Sequence, residues 1–427
     1  MKQVLIISPY FPPSNTADMQ RIRMSLPYFK ANGWEPEIVM VHEQYSETVK
    51  DHLLLASIPA DVKIHKVGAL SKKWTSKFGL GSLALRSFLF YKRYVNRLLQ
   101  KKHYDLIYFS TTEFMITILG SYWKKKFGVK YVIDMQDPWH SDYYLDKSKA
   151  HRPKKYWFSY RLHKYAEPMA MKKVDGLISV SQNYIDNLKN RYPNIEQIPT
   201  ATITFGAFIK DLEISAKLSP VVKAPFELDH TNINIVYVGR AGYDMQKAIS
   251  LLFESFKSGL IYEYDKFSKL KFFFIGTSYA PQGKGIQTVS PLAEEYGIEK
   301  HVIEKTDRIG FYESLYFLQK ADALVIPGSD DPKYTASKIY PYILTKKPLL
   351  AIFNEQSNAT TIINNCNAGT VAPLNSKTIA TTLIYNFLKL AALKKLSATP
   401  TDWSAFEQYS AAAMTKNQCK LFDKVIN

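Results

Sequence analysis

The chain has 427 residues, 46% of them hydrophobic, and a formal net charge of +18, a length that fits two domains of roughly 200 residues with a core each. No stretch of about 18 or more apolar residues occurs, so no transmembrane helix is expected. The two cysteines, Cys366 and Cys419, argue against a disulfide scaffold or a zinc site and for a reducing compartment, most simply the cytoplasm.

The N-terminal MKQVLIISPYFPP holds too short an apolar stretch for a signal peptide and leads straight into structure. Residues 3–8 (QVLIIS) read as a buried strand of the parallel type. The loop PYFPPSNTADMQ follows, then a helix over 21–32 that Gly33 ends. Further strands are expected at 37–41, 62–67, 104–109, 130–134 and 176–180, with helical stretches between them. Strands alternating with helices mean a parallel sheet covered on both faces.

Charge is concentrated in this half: residues 1–215 hold 32 Lys/Arg against 19 Asp/Glu, and residues 216–427 hold 24 against 19. The stretch 62–104 carries 11 Lys/Arg and no acid, interleaved with Trp74, Phe78, Leu80, Leu83, Leu85, Phe88, Leu89, Phe90 and Tyr91. That mixture fits an interfacial surface on anionic lipid. It also fits a nucleic-acid surface, or a solvated basic face whose apolar side is ordinary core.

The pattern then restarts. Segment 215–230 (SAKLSPVVKAPFELDH) has no period and reads as a linker. Residues 234–238 (NIVYV) form a fresh buried strand, followed by GRAGYDMQ and an amphipathic helix, with more strands at 272–275, 302–303, 323–326 and 349–352. The fold class is therefore α/β, with two doubly wound, Rossmann-like domains in series, 1–215 and 216–401. A terminal helical stretch, 402–427, has no strand after it and must pack on something already built.

In open α/β sheets ligands bind outside the carboxyl ends of the strands, so two such domains are expected to face each other across a cleft. Four loops at strand ends are rich in polar groups. The first offers Ser14, Asn15, Thr16 and Asp18, stiffened by two prolines, or is a plain connection. The second, DMQDPWHSDYY, puts Asp134, Asp137, His140 and Asp142 within nine residues, suited to acid/base or sugar-hydroxyl contacts, or forming a simple turn. The third, VGRAGYDMQK, has Gly239 and Gly242 for close approach to an oxyanion, with Arg240 and Lys247 for charge. It matches neither GxxxxGK[ST] nor GxGxxG, and suits a diphosphate. In the fourth, ASKIYPYILTKKPLLAI, Thr335 or Ser337 is expected to cap a helix whose first amides face an anion, with Lys338 in its first turn. Pro341 falls early enough in that helix to cost little.

The ordered series VLIISPYFPP, YVIDMQDPW, ISVSQNYIDNLKNRYP, VYVGRAG, ADALVIPG and SKIYPYILTKKPLLAIF resembles the GT-B glycosyltransferases, specifically the family-4-like bacterial enzymes of cell-envelope and polysaccharide biosynthesis. The resemblance runs nearly end to end. It implies that the closing helix returns to the N-terminal, acceptor-binding domain. It also implies a UDP- or GDP-type sugar donor on the second domain, held by Gly239, Arg240, Gly242, Lys247, Ile309, Tyr334, Thr335, Ser337 and Lys338. Asp137, Arg240 and Lys338 are implied in catalysis, and Ser14, Asn15, Thr16, Asp18 and Arg21 on the acceptor side. One departure stands out: the glutamate that binds the nucleotide ribose in many relatives is Pro341 here, leaving Tyr340 or Asp331 as substitutes. No cofactor and no metal are implied, because lysine and arginine neutralise the departing diphosphate.

The expected function is transfer of a sugar to a lipid-linked or cell-envelope glycan, of capsule or exopolysaccharide type, in a retaining reaction at the cytoplasmic membrane face. The basic segment 62–104 is the expected membrane contact. A catalytically silent nucleotide-sugar-binding or partner-binding protein is the competing reading, motivated by Pro341. A nucleic-acid-binding protein rests on charge alone, without any recognition motif.

Overall fold

The computed structural model describes residues 1–140, 156–217, 228, 231–280, 282–331 and 337–427. The expected ligand residues Asp142, Tyr334 and Thr335 lie outside them, as does most of the expected linker 215–230. The chain divides into two compact units, 1–206 with 409–427, and 207–408.

Unit 1 is built on seven parallel strands: β1 (Lys2–Ile7), β2 (Trp34–Val41), β3 (Lys63–Val67), β4 (Leu106–Ser110), β5 (Lys130–Met135), β6 (Gly176–Ser179) and β7 (Thr200–Thr202). Their order in the sheet is β3-β2-β1-β4-β5-β6-β7. β1 is central, with Val4 to Ile7 paired to Leu106 to Phe109 on one side and Pro36 to Val39 on the other. Buried on both edges and both faces, it must be a run of Val, Leu and Ile. β7 escapes the sequence reading because Thr-Ala-Thr is short and only half-buried.

The helix expected over 21–32 is one α-helix, Gln20–Ser25, followed by two short 3-10 turns. Pro27, which lacks an N–H, stands where the break begins. Gly33 ends the run with φ +82°, as expected of a C-terminal glycine.

The terminal helix Ala411–Ile426 packs on unit 1. Its Phe422 is fully buried, stacked on Phe29 and edge-on to Trp34 and Tyr108 at centroid distances of 6.3, 5.4 and 4.9 Å. Asp423 accepts from Lys2 Nζ and Trp34 Nε1, and Gln418 donates to Ser25. The helix thus fastens the start of the chain to its end.

Unit 2 holds β8 (Ile233–Val238), β9 (Leu270–Ile275), β10 (Val302–Lys305), β11 (Ala323–Pro327), β12 (Leu349–Phe353) and β13 (Thr370–Pro373), all parallel, in the order β10-β9-β8-β11-β12-β13. β13 is a second strand that sequence periodicity does not reveal. The helix Ile209–Lys217 belongs to unit 2, so the boundary lies at 206/207 and not at 215/216. Asp211 accepts from the Tyr312 hydroxyl, and Ser215 donates to the Tyr312 carbonyl. In each unit the order reverses beside the first strand, so the loops after β1 and β4, and after β8 and β11, diverge and leave a crevice at the carboxyl end.

Phe422→Ala should lower the unfolding free energy by about 3–5 kcal/mol, since a buried aromatic leaves a cavity among three rings that cannot close around it. Urea denaturation followed by tryptophan fluorescence measures this, and a loss below about 1 kcal/mol contradicts the fastening role.

Candidate functional site

At the unit 2 crevice, β8 ends in Tyr237-Val238 and turns sharply at Gly239, whose φ is +149°. A Cβ there would lie 2.5 Å from Lys338 Nζ, so glycine is needed for both the turn and the approach. Lys338 Nζ donates to the Tyr237 hydroxyl at 2.7 Å and lies 4.9 Å from the centre of that ring. The same hydroxyl donates to the Arg240 carbonyl at 2.6 Å. Tyr342, on the short helix Ile339–Leu344, accepts the Val238 N–H at 2.7 Å and donates to the Val238 carbonyl. Two tyrosines therefore fix the backbone turn and the lysine together.

Charge at this turn is unevenly answered. Arg240 is held by Asp244 in a bidentate pair, with contacts of 2.6 and 2.8 Å, and this pairing holds the Asp244 carboxyl below the usual range. Among the described residues, no carboxylate lies within ion-pair distance of Lys338. Burial of its ammonium, then the nearby Arg240 charge, bring its pKa down to about 8, with Asp244 opposing. The cradle is thus short of one negative charge.

The expected helix start at Ser337 is corrected here. Ser337 is exposed, and the six-residue helix begins after Lys338, which occupies the N-cap position without a side-chain cap. Pro341 then stands third in the helix, among amides that have no intrahelical partner, so it costs the backbone nothing. So short a helix has little dipole, and the anion-attracting charge is the Lys338 side chain. Lys247 is exposed in the first turn of the helix Gln246–Tyr262, with no interaction among the described residues tying it to the cradle. A Cβ at Gly242 would meet Arg240 Nη1 at 2.1 Å and Asp244 Oδ1 at 2.6 Å, the far ends of two side chains. Ile309 is half-buried in the loop after β10, next to Gly310, whose N–H is capped by Glu313. Tyr340 is buried, with its ring 6.3 Å from Phe406, which removes it as a ribose partner. Asp331 is exposed.

In unit 1 the loop after β1 is tied to the loop after β4. Buried Asp18 accepts from the hydroxyls of Thr16, Thr111 and Thr112 and from the Thr112 N–H. Burial pushes its carboxyl up, against those hydrogen bonds. Arg21, expected to face an acceptor, does not: it is fully buried, paired with Asp134 at 2.7 Å, and donates to the carbonyls of Ile203 and Thr204. Asp134 also accepts from Ser110 and Gln136 and is a framework residue. Ser14 is buried. Asn15 and Thr16 are half-buried, and Asp137 is exposed at the end of β5. Crowding around the Asp137 carboxyl, then the Asp18 charge, push its pKa up. His140 is buried, with its N–H on Glu167.

Tyr237, Asp244 and Tyr342 are the site residues that sequence reasoning missed. Tyr237 and Tyr342 read as core in apolar runs. Asp244 carried a signal, lying four residues after Arg240.

No protein-family model matches the chain, and no curated protein sequence matches it. Solved structures do. Sucrose-phosphate synthase from Thermosynechococcus elongatus is similar over 99% of this chain and 98% of its own, with a TM-score of 0.58 at 13% identity. HepE from Anabaena, in complex with UDP, is similar over 98% and 99%, with a TM-score of 0.57 at 14% identity. A UDP-forming α,α-trehalose-phosphate synthase from Burkholderia xenovorans, in complex with glucose-6-phosphate, is similar over 99% and 100%, with a TM-score of 0.60 at 9% identity. The shared feature is the two-domain GT-B fold, over the full length of each chain.

Gly239→Ala should cost about 1–3 kcal/mol, because a side chain is strained at that φ. Gly242→Ala, at an ordinary φ of −80°, should cost less than half as much, since only the paired ends of the Arg240 and Asp244 side chains must move. Thermal melts of the two variants decide, and equal losses would contradict this account of the turn.

Proposed function

We propose that the chain is a GT-B glycosyltransferase that takes a UDP-linked sugar and transfers it to a glycan hydroxyl. The observation that carries this reading is the Lys338 ammonium, held by the Tyr237 hydroxyl and without a carboxylate partner among the described residues, beside Arg240 at the switch point of unit 2. The HepE complexes with UDP and UDP-glucose supply the donor class by analogy of fold. Lys338 takes a β-phosphate oxygen, while Arg240, anchored by Asp244, adds a second positive charge beside it.

In the proposed step the acceptor oxygen bonds to the anomeric carbon as the bond from that carbon to the β-phosphate oxygen breaks. The electron pair stays on the diphosphate, which Lys338 and Arg240 stabilise as charge develops. The acceptor proton passes to the leaving phosphate or to solvent. Attack on the face from which the diphosphate leaves makes the transfer retaining, and the two cations make it metal-independent. Asp137 contacts hydroxyls of the transferred sugar. The acceptor is a lipid-linked or cell-envelope glycan, and the enzyme works at the inner face of the cytoplasmic membrane.

The membrane part of the reading is supported by segment 62–104. Trp74 is 70% exposed and Leu70, Leu80 and Leu89 are also exposed, with Lys73, Lys77, Arg93 and Arg97 on the same stretch. Lys66, Lys72 and Lys102 are answered by Glu43, Glu47 and Glu37, so only part of the charge is free for lipid. No helix among the described residues is long and apolar enough to cross a membrane.

Lys338→Ala and Arg240→Ala should each lower UDP affinity at least tenfold, about 1.4 kcal/mol, and abolish transfer while the melting temperature holds. Lys338 is charged below its pKa of about 8 and neutral above it. UDP affinity should therefore fall as pH rises past 8, by up to tenfold per unit, and this fall should vanish in Lys338→Ala. Calorimetry from pH 6.5 to 9.5 tests it, and a flat profile for the natural protein sinks the donor assignment. UDP-sugar binding without turnover across a broad acceptor panel would favour the catalytically silent reading instead.

Vesicles with about 30% anionic lipid should retain the protein at low salt and release it at high salt. Trp74→Ser combined with Lys73→Ser and Lys77→Ser should weaken retention several-fold. Equal retention by the triple variant removes this segment as the membrane contact.

A further inference from the structure

A cavity of about 380 Å³ opens in unit 1 between the loop after β5 and the helix Gln182–Arg191. Its volume is within the range of small-molecule sites. Trp139 and Tyr184 give it two aromatic walls, Asn183 and Asn187 two amides from successive turns of the helix, and Glu167 and Arg191 its charged end.

The charged end is already closed on itself. Glu167 is buried and takes Arg191 and the Tyr192 hydroxyl on one oxygen and the His140 N–H on the other. Arg191 also donates to the His140 carbonyl. This clamp holds the loop and pairs the charge of Glu167 with that of Arg191. By contrast, the side chains of Asn183, Asn187 and Tyr184 make no hydrogen bond among the described residues. Trp139 is 5% exposed, and its indole N–H meets no acceptor among them. Aromatic faces with uncommitted amides and hydroxyls, and no uncommitted Lys or Arg among the described lining residues, are the chemistry of a neutral polyhydroxylated ring. A phosphate would find the lining's one guanidinium already taken by a carboxylate.

Resting on the glycosyltransferase reading, we propose that this cavity is the subsite for an uncharged sugar unit of the acceptor, and that it selects neutral glycan ends over sugar phosphates. The Tyr184 hydroxyl is close enough to Asp137 for that charge to raise its pKa, after burial.

The test uses the full chain and saturation-transfer NMR. The probes are the methyl glycosides of glucose, galactose, mannose, N-acetylglucosamine and rhamnose, together with glucose 6-phosphate. At least one neutral glycoside should bind, glucose 6-phosphate should bind no better than methyl glucoside, and Asn183→Ala with Asn187→Ala should weaken the bound glycoside at least tenfold. Both asparagines are exposed on a helix, where alanine is well tolerated, and UDP affinity should stay unchanged in the double variant. Tighter binding of the 6-phosphate, glycoside binding untouched by the double variant, or no glycoside binding by a protein that binds UDP would each overturn the proposal. Loss of UDP binding in the natural protein would instead overturn the donor reading on which it rests.

Discussion

The ammonium of Lys338 is the constraint around which unit 2 is arranged. It is taken out of water and placed against the Tyr237 ring, beside another cation. The depression of its pKa from 10.5 to about 8 corresponds to about 3 kcal/mol of lost preference for the charged form. A fold tolerates such a cost at a place where a ligand later removes it. Gly239 is there because a side chain would collide with the lysine, Tyr237 because the ammonium needs an acceptor, and Tyr342 because the turn must be held.

Topology explains why these residues meet. Tyr237 and Lys338 are 101 positions apart, yet both stand at the reversal of strand order, where the loops after β8 and β11 part. A parallel sheet aligns all its carboxyl ends on one rim, and the reversal opens a gap in that rim. Unit 1 repeats the arrangement with other contents. There the gap beside β1 is crossed by Asp18, which binds the loop after β4 through Thr111 and Thr112.

This division also explains what the sequence makes legible. Buried parallel strands announce themselves as Val/Ile/Leu runs, so eleven of thirteen were readable and the two missed were Thr-rich or ended in proline. Glycines and cations at strand ends point to Gly239, Arg240 and Lys338. Burial is not legible in the same way. Arg21 looks like a ligand residue because it follows a polar loop, but Asp134 lies 113 positions away and draws it into the core. Ser337 looks like a cap because serine usually is one, but its turn places Lys338 there. Pairing partners far along the chain decide such cases, and no local pattern carries them.

The two units handle charge in opposite ways, and the difference bears on what each is fitted to hold. In unit 1 the charges beside the candidate loops are answered internally: buried Arg21 by Asp134, Arg191 by buried Glu167, and buried Asp18 by hydroxyls and an amide. What remains uncommitted around the cavity and at the end of β5, among the described residues, are two amides, a phenol and an exposed carboxylate, groups that recognise hydroxyls. In unit 2 Arg240 is answered by Asp244, while Lys338 rests on a neutral phenol. A surface with unanswered positive charge selects an anion, and a surface whose charges are cancelled rejects one, because the anion would lose its water without a new partner. On the proposed reading, this asymmetry keeps the nucleotide diphosphate on unit 2 and directs an uncharged acceptor ring to unit 1.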